Sequence, residues 1–129
     1  KVKVIAGKFE KAEGPVKGHN VEPIYFDIEI KKDKEFKFRL PLSHNSFIYL
    51  IDGTIKIGEE KHKNVQDSTL ILLSNGQNLR VAAKSDAKFL LISGKPINEK
   101  IARGGPFVMN TKSEILQAVQ DYHNGTFVK

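Results

Sequence analysis

Four histidines, His19, His44, His62 and His123, are the side chains in this sequence best suited to metal ligation or proton transfer near neutral pH, where imidazole titrates. Their spacing does not assemble a site. His19 and His62 lie in polar stretches, while His44 stands with Asn45 just ahead of an apolar run. His123 ends an amphipathic segment, where a cationic imidazole would meet the negative end of a helix dipole. Cysteine is absent, which removes disulfides, thiolate nucleophiles and Cys-ligated zinc or iron–sulfur centres. Glu59-Glu60 is a carboxylate pair inside the charged stretch 59–64 and reads as a solvated loop rather than an acid–base pair. There is no nucleophile elbow and no Ser/His/Asp spacing. Gly104-Gly105-Pro106 stands too far ahead of a helix start at Asn110-Thr111 to cradle a phosphate, and Pro106 has no amide to offer. No catalytic or cofactor-binding residue is therefore expected in this chain.

The formal charge of +6 and pI near 9.5 raise the question of an anionic partner. The distribution argues against nucleic acid. Arg39, Arg80 and Arg103 are the only arginines, the lysines are scattered, and aromatic residues are not interleaved with basic ones as a stacking surface requires. No apolar run approaches the ~20 residues that a bilayer demands, so no membrane partner is expected. The apolar start is too short for a signal peptide, and the lack of cysteine suits a cytoplasmic setting, or a nuclear one in a eukaryote. The 129 residues, 40% hydrophobic and 28% charged, suit one globular domain. The chain begins with Lys1 rather than Met, which suggests a fragment or processed product.

Short alternating runs make up most of the sequence. Lys1 to Ala6 reads as a strand, and Lys8 to Asn20, with breakers at Gly14-Pro15 and Gly18, as mainly loop with Phe9 anchored. Phe26, Ile28 and Ile30 share one face, as do Phe36, Phe38 and Leu40, and the two runs read as a hairpin about the charged turn 31–34. The runs at 47–51 and 54–57 flank Asp52-Gly53, a dipeptide favoured in two-residue hairpins. Further strands are expected over 68–73, 79–83 and 88–93, the pattern of a sandwich or barrel. After the breakers at 104–106 and the apolar Phe107-Val108-Met109, a capping box at Thr111-Lys112-Ser113-Glu114 opens a helix expected over about 112–124. Its stripe of Ile115, Ala118, Val119 and Tyr122 needs a surface to cover it, and Gly125 supplies a stop.

Tyr49 to Gly58 resembles the end of the first cupin motif, a hairpin that crosses from one sheet of a jelly-roll barrel to its neighbour. Gly94-Lys95-Pro96-Ile97, Gly105 to Thr111, Glu114-Ile115, Asp121-Tyr122, Gly125 and Phe127 together resemble the C-terminal domain of the pirin family, and Gly14-Pro15-Val16 and His44-Asn45 fit it. The resemblance runs from about Val4 to Phe127. It implies an all-β cupin (jelly-roll) β-barrel with a C-terminal helix, one domain over 1–129, with the barrel in 1–100 and the apolar segment plus helix in 101–129.

A pirin is a bicupin whose N-terminal half binds iron through three histidines and a glutamate. That half would precede Lys1. In a metal-binding cupin the glutamate stands three residues ahead of the motif tyrosine and the histidines further upstream. Carried onto this chain, those positions are Ser46, Leu40 and Leu42, with Leu79 at the last ligand. None can ligate a metal, and leucines in their place make an interior where a divalent ion is hard to desolvate. His44 is the only weak remnant. The resemblance thus implies no metal or other cofactor in this domain and iron in the N-terminal half. It implies a role in packing against that half, and Ile115, Val119 and Tyr122 are expected on the barrel or across that junction. Two further roles follow from the family: part of an iron-dependent quercetin 2,3-dioxygenase-type enzyme at full length, or a protein-interaction domain in transcriptional co-regulation.

Overall fold

A computed structural model describes residues 1–17, 20–58 and 64–128. It forms two compact units, Lys1–Pro96 and Ile97–Lys129. The first begins with β1 (Val2–Ala6) and a small ribbon of β2 (Lys8–Phe9) and β3 (Ala12–Glu13), in part of the stretch expected to be loop. It continues with β4 (Ile24–Ile30), β5 (Glu35–Arg39), β6 (Asn45–Asp52), β7 (Thr54–Ile57), β8 (Val65–Gln66), β9 (Thr69–Leu72), β10 (Asn78–Ala83) and β11 (Ala87–Gly94). Two antiparallel sheets result, one in the order β1-β4-β11-β6-β9 and the other β5-β10-β7-β8. No ladder among the described residues joins one sheet to the other, so the expected barrel is built as a two-sheet sandwich.

Alternation decides which face is buried. Ile24, Phe26, Ile28 and Ile30 on β4, Ile48 and Leu50 on β6, and Phe89 and Leu91 on β11 point inward from the five-stranded sheet. Phe36, Ile55, Leu79 and Val81 meet them from the four-stranded one. The Phe26 and Phe38 rings cross edge to face at 5.0 Å, as do Phe36 and Phe89 at 6.0 Å. Phe9, anchored as expected, stacks on Phe36 at 5.6 Å. Full burial of each such side chain contributes roughly 1.5–3 kcal/mol.

Two turns differ from their expected form. β4 and β5 are not a hairpin: β4 pairs with β1 and β11, and β5 with β10 in the other sheet. Alternation fixes the face of a strand but not its neighbour. The turn between them is tied instead to the end of β10, with Asp33 N–H donating to Ala83 O at 3.0 Å and Ala83 N–H to Lys34 O at 3.0 Å. Asp86 holds the same corner, accepting from Lys31 Nζ at 2.6 Å and Lys32 N at 2.9 Å. The Lys31 hydrogen bond keeps the Asp86 carboxyl below its ordinary range and raises the Lys31 ammonium above its own. Asp52-Gly53 likewise is not a two-residue hairpin but the crossing from β6 to β7 in the opposite sheet. Gly53 has φ +91°, and a Cβ there would run into Asp86 O and Ala87.

In the second unit, the stretch read as breakers plus an apolar run is a hairpin of β12 (Ala102–Gly104) and β13 (Phe107–Met109). Gly105, at φ +55°, turns it. Helix α1 (Lys112–His123) follows within a residue of its expected bounds. Thr111 and Glu114 form the capping box in full, the Glu114 amide donating to Thr111 Oγ1 at 3.2 Å and the Thr111 amide to Glu114 Oε2 at 2.8 Å. Asn110 fastens the helix start by donating from Nδ2 to Glu99 Oε2 and Lys100 O. The helix stripe finds partners inside this unit. Ile115 packs over Gly104, and Tyr122, 66% exposed, meets Phe107 edge-on at 6.1 Å.

A methyl at Gly104 would occupy the space of Ile115 Cγ2. Gly104→Ala should therefore lower the stability of this unit by ~1–3 kcal/mol through overpacking. Helical circular dichroism on melting reports it, and the loss should largely vanish when the substitution is made in an Ile115→Ala background.

Candidate functional site

The register of β6 and β11 sets Ser46 opposite Ser93, on the inward face that carries Ile48, Leu50, Phe89 and Leu91. Their hydroxyl oxygens are 2.7 Å apart, and His44 Nδ1 lies 3.2 Å from Ser93 Oγ. The His44 amide donates to Pro41 O across the turn that leads into β6, which swings the imidazole inward. Its side chain is 2% exposed, so the three form a buried hydrogen-bonded chain whose proton order follows the His44 tautomer. The far nitrogen, Nε2, has no hydrogen-bond partner among the described residues. Its nearest carboxylate is Glu22 Oε2 at 3.9 Å, and Glu22 is itself exposed and 3.4 Å from Lys95 Nζ.

Leu40 and Leu79 also face inward, but onto a different feature. They line a cavity of about 460 Å³ with Ile57, Val65, Ile71 and Leu73. Leu42 does not converge with them; it lies in the turn after β5 and is 60% exposed. The four positions carried over from the cupin motif are therefore split among an apolar cavity, a serine–histidine chain and the surface. Tested against iron, this donor set does not fit. Leucines offer no lone pair, Ser46 is engaged by Ser93, and His44 presents one buried nitrogen with no second imidazole beside it among the described residues. Among the described residues no three His, Cys, Asp or Glu side chains come close enough to hold a metal.

His123 lies exposed in the last turn of α1 with its ring 6.3 Å from that of Tyr122. His19, His62 and the Glu59-Glu60 pair lie outside the described residues. His44 lies just ahead of β6 with a hydrogen-bond partner in Ser93, and the sequence pattern alone singles out neither Ser93 nor Glu22. Ser93 was findable, because it continues the inward alternation of Phe89 and Leu91. Glu22 carries no such signal, since it belongs to a connecting segment with φ +46°.

Two antiparallel sheets packed face to face, with the chain crossing between them at Asp52-Gly53, define a cupin-type β domain. The model of the Pirin C-terminal cupin domain matches residues 25–128, and the chain belongs to that family. A Pseudomonas aeruginosa protein provisionally named a quercetin 2,3-dioxygenase is 34% identical over 129 residues, covering 97% of this chain and 45% of its own length. A pirin-like protein of Caulobacter vibrioides is 33% identical over 127 residues, with 98% and 45% covered. The crystal structure of a quercetin 2,3-dioxygenase from Acinetobacter baumannii superposes with a TM-score of 0.86 at 31% identity, over 98% of this chain and 43% of that one. The chain thus spans somewhat less than half the length of these relatives.

Ser93→Val should cost ~1–3 kcal/mol in a urea unfolding experiment, because it strips the shared partner from Ser46 and the buried His44. Ser46→Ala, which leaves His44 bonded to Ser93, should cost less.

Proposed function

We propose that this chain is the non-catalytic, metal-free half of a bicupin. It would pack against an iron-binding N-terminal cupin half and support that half's site. The replacement of ligand positions by Leu40, Leu79 and the Ser46–Ser93–His44 chain carries this reading, since the described side chains of the interior offer no set that can ligate a divalent ion. The lengths of the relatives support such a partner, because each has more than this much chain beyond the matched part. The outer face of β6 and β9 would receive it. There Tyr49 and Leu70 stand opposite each other, and Ile51 and Leu72 extend an exposed apolar patch. Quercetin dioxygenation, the activity in two of the relatives' names, would then belong to the full-length protein.

Two measurements test this together. The 129-residue chain supplied with iron(II) should not turn over quercetin, and turnover would overturn the non-catalytic assignment. Leu70→Asp should leave the melting temperature of the 129-residue chain within a degree or two, because the side chain is solvated there. In the longer protein carrying a metal-binding cupin ahead of this chain, the same change should lower it by several degrees. Equal effects in both would remove the outer face as the packing surface.

A further inference from the structure

The core is not equally filled along its length. Ile55 is fully buried on β7, but Ile57, two residues on and on the same face, is only half-buried, as are Ile71 on β9 and Leu73 just past its end. All three point inward, so their exposure is to a space between the sheets rather than to the outer surface. That space is the cavity of about 460 Å³ closed at its inner end by Leu40 and Leu79.

We propose that this cavity is a binding site for a small, neutral, ring-bearing molecule of about two fused rings. Size sets the upper bound: an engineered apolar void near 150 Å³ takes one benzene, and pockets for larger ligands start near 300 Å³. Chemistry sets the class. The aliphatic walls cannot replace the hydration of a carboxylate, phosphate or metal ion, so a charged ligand is disfavoured. Insertion of an apolar ring removes the half-exposed faces of Ile57, Ile71 and Leu73 from water. Ser74 and Asn78 at the mouth offer a hydrogen bond to one polar atom at the ligand's edge. Arg80, also in the lining, donates from Nε to the Glu35 carboxylate at 3.0 Å, which offsets its charge. The site does not use His44, and its ligand would not be a metal chelate.

Indole is a suitable probe because the chain contains no tryptophan, so its fluorescence is read without background. A titration of the 129-residue chain should show a saturable blue shift of indole emission with half-saturation at or below about 1 mM. In the same titration followed by methyl NMR, the signals of Ile57, Ile71, Leu73 and Leu79 should move. Ile71→Phe, which fills the space, should weaken binding at least about 10-fold, equivalent to ~1.4 kcal/mol. Leu70→Ala, whose side chain points outward on the adjacent position, should leave it unchanged. Absence of saturation, or methyl shifts confined to Ile51 and Leu70 on the outer face, would overturn the proposal, and the mapping on the unsubstituted chain holds whether or not Ile71→Phe folds.

Discussion

The burial of two alternating apolar faces against each other is the constraint from which the rest of this fold follows. Phe26, Phe89, Ile48 and Leu50 from one sheet need Phe36, Phe38, Ile55 and Val81 from the other, because neither sheet alone can remove these side chains from water. Opposed faces require the chain to change sheets. It does so between β4 and β5, where the turn is pinned to Ala83 and Asp86, and again at Gly53, where backbone crowding leaves no room for a Cβ. These corners are specified by backbone geometry and hydrogen bonds, while the sheets between them are specified by pattern.

That division explains what could be read in advance. The period-two alternation of Phe26, Ile28 and Ile30 and of Phe36 and Phe38 revealed which residues are buried, since facing is a property of the strand itself. Partnership is a property of the whole chain, so the same pattern suggested a hairpin where the structure has a crossing. The helix was legible nearly to the residue because its start and stop are local: Thr111 and Glu114 answer each other across three positions, and Gly125 takes φ +70°. Its covering surface was not, because the hairpin beneath it is built on Gly104, whose importance is the absence of a side chain next to Ile115.

The candidate site shows the same contrast. Of the positions counted along the cupin motif, Leu40, Ser46 and Leu79 face inward, since each lies on or beside a regular strand. Leu42 instead falls in the turn before β6, where alternation no longer applies, and is exposed. The buried chain of Ser46, Ser93 and His44 depends on cross-strand register, which a single sequence does not print. Physically the result is an interior with its polar atoms gathered at one place and its remaining open space apolar. The first satisfies buried hydroxyls and one imidazole nitrogen; the second leaves about 460 Å³ that no described side chain fills.

The described side chains of such an interior have no means of stripping water from a divalent ion and replacing it with ligands, and on this the account of the chain as a supporting cupin half rests. Titration of iron(II) into the 129-residue chain under anaerobic conditions, followed by calorimetry and elemental analysis of the desalted protein, is the most direct measurement of that claim. The account predicts no saturable heat and well under one iron retained per chain. One tightly held iron per chain, lost on substitution of His44 by Ala, would contradict it.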